Sequence, residues 1–420
     1  MRFIYSLFIY LYNFAINFAA FFNNRKAKLW VDGRKDVFNL ISNFTKTNSK
    51  PIIWVHCASL GEFEQGRPFI EYVHKNMSNY SILLTFFSPS GYEIRKNFSQ
   101  ADFICYLPID TQINAKRFIQ IVNPEKVVFV KYEYWFNFIN QIHKKQIPLY
   151  VISAILRPNQ HFFKPYGFWF LKHLKYVNLF FTQNSTTTQL LAKNNIKQVI
   201  QCGDTRFDRV LKIASQQVEF PIINTFVANC KEKNVIVAGS TWTEDEVFLE
   251  RLLKSNSNLK LIIVPHEIHS SNIKSIQQLF ANHSVEIYSQ TSEERLIDAK
   301  VLIIDTIGML SKIYRYGKFA YIGGGFGAGI HNILEAVAYN IPVVFGPKYL
   351  KFDEAVSLIN LKGAFSFSTQ EQLNNIVNQL LNDNNFYNKT CDICSAYVNE
   401  NIGATDVIVK NIFGTKNEKN

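Results

Sequence analysis

Acidic residues are scarce. Asp and Glu number 33 against 45 Lys and Arg in 420 residues, and charged side chains make up only 19% of a chain that is 47% apolar. That charge density excludes long-range disorder, and a mean hydropathy of −0.04 excludes a polytopic membrane protein. Cysteine is sparse too: six residues, at 57, 105, 202, 230, 391 and 394, with no disulfide-dense segment, fit a reducing compartment. Cys391 and Cys394 form a lone C-x-x-C without the second pair a zinc site needs, so no metal or redox role is assigned to them. Several catalytic signatures are missing as well. There is no Walker Gly-Lys-Ser/Thr, no strict G-x-G-x-x-G and no G-x-S-x-G, which argues against a P-loop NTPase, a Rossmann dehydrogenase and a serine hydrolase. No D-x-D is present to hold a divalent metal on a nucleotide diphosphate. The net charge of +12 suits an anionic partner, and equally reflects a composition rich in Phe, Tyr, Ile, Lys and Asn.

What is present begins with a charge-free stretch, Phe3 to Phe22, followed by Arg25, Lys26 and Lys28. About 20 such residues can just span a bilayer. Ser6, Tyr10, Asn13 and Asn17 recur on one helical face, which also allows an anchor lying in the interface. Bulky Phe21 and Phe22 after Ala19 and Ala20 argue against a cleaved signal peptide. More positive charge follows the segment than precedes it, which predicts a cytoplasmic body.

From Pro51 onward short apolar runs alternate with amphipathic stretches, the pattern of βαβ units in an α/β protein. Strands are expected at Ile52–His56, Ser81–Phe86, Lys126–Val130 and Leu149–Ile152. A second series is expected at Asn234–Ala238, Lys260–Val264, Ala299–Ile304, Phe319–Ile322 and Pro342–Phe345. A less periodic stretch, 216–232, reads as a linker between two parallel-sheet domains that would bind a ligand outside the carboxyl ends of their strands.

Three segments carry chemistry. Tyr321 to Ala336 runs from a strand into the glycine-rich Gly323–Gly329 and then a helix, a form that serves either a phosphate cradle or a tight turn. His331 and Glu335 fall at i, i+4 on that expected helix, where Glu335 suits a ribose diol or is simply a helix residue. His266-Glu-Ile-His269 is one residue short of the zinc-protease spacing, yet Pro265 and His266 follow a strand directly. Trp54 to Glu62 is a strand and small-residue turn that delivers Glu62 to a helix start. There it acts as a general base or merely complements the helix dipole.

Trp54-Val-His-Cys-Ala-Ser-Leu-Gly-Glu62, Tyr106-Leu-Pro-Ile-Asp110, Glu133-Tyr-Trp135 with Asn137, Gly203-Asp-Thr-Arg-Phe-Asp208, Asp305-Thr-Ile-Gly308 and Gly329-Ile-His-Asn-Ile-Leu-Glu335 occur together and in order. In these the chain resembles the 3-deoxy-D-manno-octulosonic acid (Kdo) transferases of lipopolysaccharide synthesis, from the N-terminal anchor to about residue 400. The resemblance implies a GT-B architecture of two Rossmann-like domains facing a cleft. Its parts would be a membrane anchor at 1–24, an acceptor domain at 25–215, the linker at 216–232, a CMP-sugar domain at 233–395, and a crossover helix and tail at 396–420. It further implies inverting transfer of Kdo from CMP-Kdo to the 6′-hydroxyl of lipid IVA, with no metal or other cofactor and no nucleic-acid partner, on the cytoplasmic face of the inner membrane.

By the same resemblance Glu62 takes the general-base position, and Glu133 and Arg206 stabilise the transition state. Pro265, His266, Ile307, Gly308, Met309, Asn332, Ile333, Leu334 and Glu335 match the CMP contacts. The chain departs from the family at Arg206 (usually Lys), His266 (usually Arg), Met309 (often Glu) and Ser153-Ala-Ile-Leu156 (usually Asn-Ala-Arg-Leu). Arg67, Arg95, Lys96, Arg157 and Lys164 are candidates for the acceptor's phosphates. The rival readings are a GT-B enzyme using a UDP-sugar, either a lipid glycosyltransferase or a 2-epimerase, and a membrane-tethered sugar-nucleotide sensor without turnover.

Overall fold

Every residue of Ile52–Cys57 is buried, and its side chains alternate between two cores as the period of two in a strand requires. Ile52 and Trp54 join Phe118, Val127, Phe129 and Phe138 on one face, while Ile53, Val55 and Cys57 join Phe63, Ile70, Val128 and Val130 on the other. Burial on both faces is why these strands read as unbroken apolar runs in the sequence. The computed structural model describes residues 1–131, 134–230 and 234–414. They form two units, Met1–Asp208 together with the chain from Ile402, and Arg209–Asn401.

The first unit holds β1 (Ile52–Cys57), β2 (Ser81–Phe86), β3 (Phe103–Tyr106), β4 (Lys126–Val130), β5 (Leu149–Ala154), β6 (Leu179–Thr182) and β7 (Val199–Gln201). All pair in parallel, in the order β3-β2-β1-β4-β5-β6-β7. The second holds β8 (Val235–Thr241), β9 (Lys260–Pro265), β10 (Val285–Ile287), β11 (Val301–Ile303), β12 (Phe319–Ile322), β13 (Val343–Phe345) and β14 (Ala364–Ser366). Its parallel order is β10-β11-β9-β8-β12-β13-β14. The first order reverses direction between β1 and β4; the second does so between β8 and β12, and again at its edge where β11 sits inside β10, and in open α/β sheets ligands bind at the carboxyl ends beside the central reversal. Both sheets bulge at a carboxyl end, β5 at Ser153 and β8 at Ser240, where non-glycine residues take φ of 51° and 54°. Left-handed backbone of this kind is held by its surroundings and is concentrated at functional sites.

The expected strands are all present, with ends shifted by up to three residues. The strands left unread are β3, β6, β7, β10 and β14, four of them sheet edges. The stretch expected as a linker, 216–232, instead carries the helix Pro221–Ala228, which buries Ile223 and Phe226 in the second unit. Its mixed polar surface hid a two-residue apolar contact. Residues 231–233 lie outside the described residues.

The chain returns to the first unit at Ile402. There the helix Ala404–Phe413 buries Ile408, Val409 and Ile412. Asp208 secures it: Oδ1 accepts from the Gly403 N–H at 2.6 Å, and Oδ2 accepts from the Thr405 N–H at 2.7 Å and the Thr405 hydroxyl at 2.6 Å.

Arg2–Phe21 is a 20-residue helix, long and apolar enough to cross a membrane. Ile9 is buried against the first unit. Tyr5 packs on Phe136 and Trp169, and Tyr12 on Trp30 and Phe87. Positions 5, 9 and 12 are a single helical stripe. Phe3, Ile4, Leu7, Phe8, Leu11, Phe14 and Phe18 remain exposed.

Candidate functional site

Glu62 stands where β1 gives way to the helix Leu60–Asn76, in the first turn after the N-cap Ser59. The helix can sit close over the sheet because residue 66 is glycine: a Cβ there would meet Val130 Cγ2 at 2.9 Å and Cys57 Sγ at 3.1 Å. Glu62 is buried at 6% exposure, and the Ser59 hydroxyl donates to its Oε2. One turn on, Gln65 Nε2 donates to Asp204 Oδ2 at 3.4 Å, and the Thr205 hydroxyl donates to the Gln65 carbonyl at 2.5 Å. Asp204 in turn fixes Arg206, taking its backbone N–H on Oδ1 at 2.9 Å and its Nε on Oδ2 at 2.8 Å, with Nη2 at 2.7 Å. The helix that carries Glu62 is thus linked through Gln65 and Asp204 to Arg206, 144 positions from Glu62 in sequence.

Glu133 lies outside the described residues, but the segment that follows it is firmly placed. Trp135 Nε1 donates to His56 Nε2 at 2.9 Å, and His56 Nδ1 meets the Thr85 hydroxyl at 2.9 Å. An indole N–H only donates, so His56 must accept at Nε2 and carry its proton at Nδ1. Burial agrees, lowering the His56 pKa to about 3. Asp110 then caps the helix Phe136–Lys144, its carboxylate accepting from the Asn137 N–H at 3.0 Å and the Phe138 N–H at 2.9 Å. Burial raises the pKa of this carboxyl to about 6, against the hydrogen bonds from Tyr5, Asn137 and Phe138 that favour its charged form.

In the second unit, β8 leads to Trp242 and β9 to His266, and the rings of Trp242, His266 and His331 stack, with 4.6 Å between successive centroids. Trp242 Nε1 donates to His331 Nε2 at 3.2 Å, which leaves the His331 proton on Nδ1. Burial and the neighbouring His266 lower the His331 pKa to about 4. The glycine loop beside them is pinned by Asp245, which accepts from the Gly324 N–H and the Tyr321 hydroxyl, each at 2.9 Å. Gly324 has φ +89°, a conformation that favours glycine.

Two expectations need correction here. Residues 330–333 are not helical, and the helix that follows the loop is only Leu334–Val337. His331 and Glu335 therefore do not share a helical face, because the Gly323 carbonyl takes the His331 N–H at 3.1 Å and holds residue 331 in the loop. So short a helix also offers no developed dipole. Glu335 instead accepts from Asn332 Nδ2 at 3.2 Å. Its pKa is raised by burial, against the opposing charge of Arg209.

Of the remaining candidates, Pro265, Met309, Ile333 and Leu334 are buried, and Ile307 is 85% exposed beside Gly308, at φ +86°. Asp305 of the same loop accepts from the Ser289 N–H at 3.1 Å and from its hydroxyl. His269 caps the helix Ser270–Leu279, accepting from the Asn272 N–H. Arg67, Arg95 and Lys96 are paired with Glu71, Glu64 and Glu93. Among the described residues no group of His, Cys, Asp and Glu is placed to hold a metal ion. Sequence reasoning missed Trp242 and the partners of His56, Asp110 and Asp208. His56, Asp110 and Asp208 themselves lay inside quoted motifs, but their roles depend on contacts across 27 to 197 positions.

Residues 34–209 match the model of a family described as 3-deoxy-D-manno-octulosonic-acid transferase (kdotransferase). A protein of that name from Aquifex aeolicus is 29% identical over 342 residues, covering 80% of this chain and 87% of its own. Another of that name, from Haemophilus influenzae, is 27% identical over 348 residues, covering 79% of each chain. Among solved structures, UDP-GlcNAc 2-epimerase from Neisseria meningitidis aligns with a TM-score of 0.59 at 16% identity, over 86% of this chain and 99% of that one. At that identity the likeness shows the fold alone: GT-B, with two Rossmann-like units.

Proposed function

We propose that the chain is a Kdo transferase, as its similarity to proteins of that name supports, and that it moves Kdo from CMP-Kdo to the 6′-hydroxyl of lipid IVA, inverting the anomeric carbon without a metal ion. The observation that carries the chemistry is the placement of Glu62. This buried carboxylate, oriented by Ser59, lies in the first helical turn after the strand beside the central order reversal of the first sheet. It takes the proton of the acceptor hydroxyl as that oxygen bonds to the anomeric carbon. The bond from that carbon to the CMP phosphate breaks, and CMP leaves with the electron pair. Arg206, held in place by Asp204, together with Glu133, stabilises the charge that develops.

CMP is bound by Pro265, His266, Ile307, Gly308, Met309 and the Asn332–Glu335 segment, with Glu335 on the ribose. The side chains of Met309, Ile333 and Leu334 are buried, and the Leu334 N–H is held by Asn332 Oδ1 at 3.2 Å, so these residues shape the loop that receives CMP. The helix Arg2–Phe21 holds the enzyme on the cytoplasmic face of the inner membrane. Its contacts at positions 5, 9 and 12 support a helix lying along the body, in the plane of the interface.

The test is turnover by purified, detergent-solubilised protein with CMP-Kdo and lipid IVA, with and without EDTA, resolving products by mass. One or more Kdo additions are expected in both conditions. No product overturns the reading, product with UDP-sugars alone selects the rival GT-B chemistry, and loss on EDTA overturns metal independence.

A further inference from the structure

A pocket of about 230 Å³ lies in the first unit between the N-terminal helix and the segments around Tyr134 and Phe162. Tyr5 and Ile9 form one wall, Tyr134, Trp135 and Phe136 a second, and His161 and Phe162 a third. The aromatic rings brace each other, Tyr134 on Phe162 at 5.3 Å and Tyr5 on Phe136 at 5.2 Å. Two polar atoms of the wall are committed elsewhere: the Tyr5 hydroxyl to Asp110 and the Trp135 N–H to His56. His161 is the titratable imidazole of the wall, and burial lowers its pKa, so it is neutral at pH 7. Lined mostly by aromatic and aliphatic side chains, such a cavity suits a predominantly apolar occupant.

Its surroundings indicate where that occupant comes from. The helix that supplies Tyr5 and Ile9 leaves Phe3, Phe8 and Leu11 in the open, and Trp169, which packs on Tyr5, follows Tyr166 and the 76%-exposed Phe168 in the chain. Trp135 is also bonded to β1, the strand that delivers Glu62. The pocket therefore joins a hydrocarbon-facing surface to the segment beside the candidate base.

We propose that this pocket is a subsite for an acyl chain of the lipid acceptor, an inference that rests on the Kdo-transfer reading. Holding one chain there positions the sugar headgroup, and apolar burial supplies the affinity.

The first test needs no turnover. The full-length protein in detergent is titrated with 9,10-dibromostearic acid, whose bromines quench tryptophan emission on contact. Saturable quenching is expected, at least halved in Trp135→Phe and weakened about tenfold in the pocket-narrowing Ile9→Phe. Quenching that is absent, or the same in both variants, overturns the proposal. The second test compares KM for lipid IVA with KM for its de-acylated headgroup. Ile9→Phe is expected to raise that ratio about tenfold. An unmoved ratio would mean that the bound chain belongs to bulk lipid, and overturns the assignment to the acceptor. Circular dichroism and the thermal midpoint establish that both variants fold. Should the wild type transfer Kdo to neither acceptor while quenching persists, the transfer reading fails and an acyl-chain pocket stands.

Discussion

The Tyr5 hydroxyl donates a 2.5 Å hydrogen bond to Asp110 Oδ2, so the apolar N-terminal helix is tied to the carboxylate that caps Phe136–Lys144. Anchor, cap and the Trp135 segment form one connected structure. Tyr5→Phe removes a hydrogen bond to a buried carboxylate and is expected to cost about 2 kcal/mol, read as a lower unfolding midpoint in detergent. Retention of the wild-type midpoint would show that the contact is not maintained in solution.

The same carboxyl sets a pH dependence. Its folded pKa is raised to about 6 by burial, above an unfolded value near 3.8, so the folded state binds its proton more tightly. Its contribution to stability is full below about pH 4 and is lost as pH rises through about 6. Asp110→Asn removes this titration. The difference in unfolding free energy between wild type and variant should change between pH 4 and 6 and be flat above 7, as measured by urea titrations across that range.

The parallel sheets were legible because their central strands are covered on both faces, which writes apolar residues at successive positions, as the Val and Phe run of Lys126–Val130 shows. β7 and β10 were not, because three-residue strands at a sheet edge carry no pattern that separates them from loop. The site was partly legible. Glu62 follows a strand and begins a helix, which spacing alone can show. That Asp204 mediates between Gln65 and Arg206, or that residue 331 stacks on residues 242 and 266 instead of continuing a helix, depends on contacts no local spacing encodes.

The ring stack makes a second pH prediction, of opposite sign. The folded pKa of His331 is depressed to about 4, below an unfolded value near 6.5, so the unfolded chain binds more protons between those values. The His331 contribution is present above pH 6.5 and lost as pH falls through about 4. Trp242→Phe removes the N–H that requires an unprotonated Nε2, so His331 should titrate closer to pH 6.5, as followed by its imidazole NMR resonances. An unchanged titration would mean that burial and the neighbouring His266 set the shift without that hydrogen bond.

Asp208 holds the returning helix through three hydrogen bonds. Asp208→Ala leaves the Gly403 and Thr405 N–H groups without their cap and is expected to cost on the order of 2 kcal/mol. Hydrogen exchange should accelerate in 404–413, while β8 and β9, in the other unit, keep their protection. Uniform acceleration across both units would instead indicate global destabilisation.

Glu62→Gln tests the chemistry most directly, because the amide keeps the shape of the side chain and can still accept from Ser59 but cannot take a proton. The expected loss in kcat is on the order of 10²- to 10⁴-fold, with the unfolding midpoint and CMP-Kdo binding close to wild type. Ser59→Ala leaves the carboxylate but removes the hydroxyl that orients it, and a loss of about tenfold is expected. The ranking is the informative part. A base needs its carboxylate more than it needs its orienting partner, whereas a carboxylate that merely complements the helix start would show both substitutions in stability and neither in kcat. Retained turnover in Glu62→Gln, with binding intact, would move the proton acceptor to another residue.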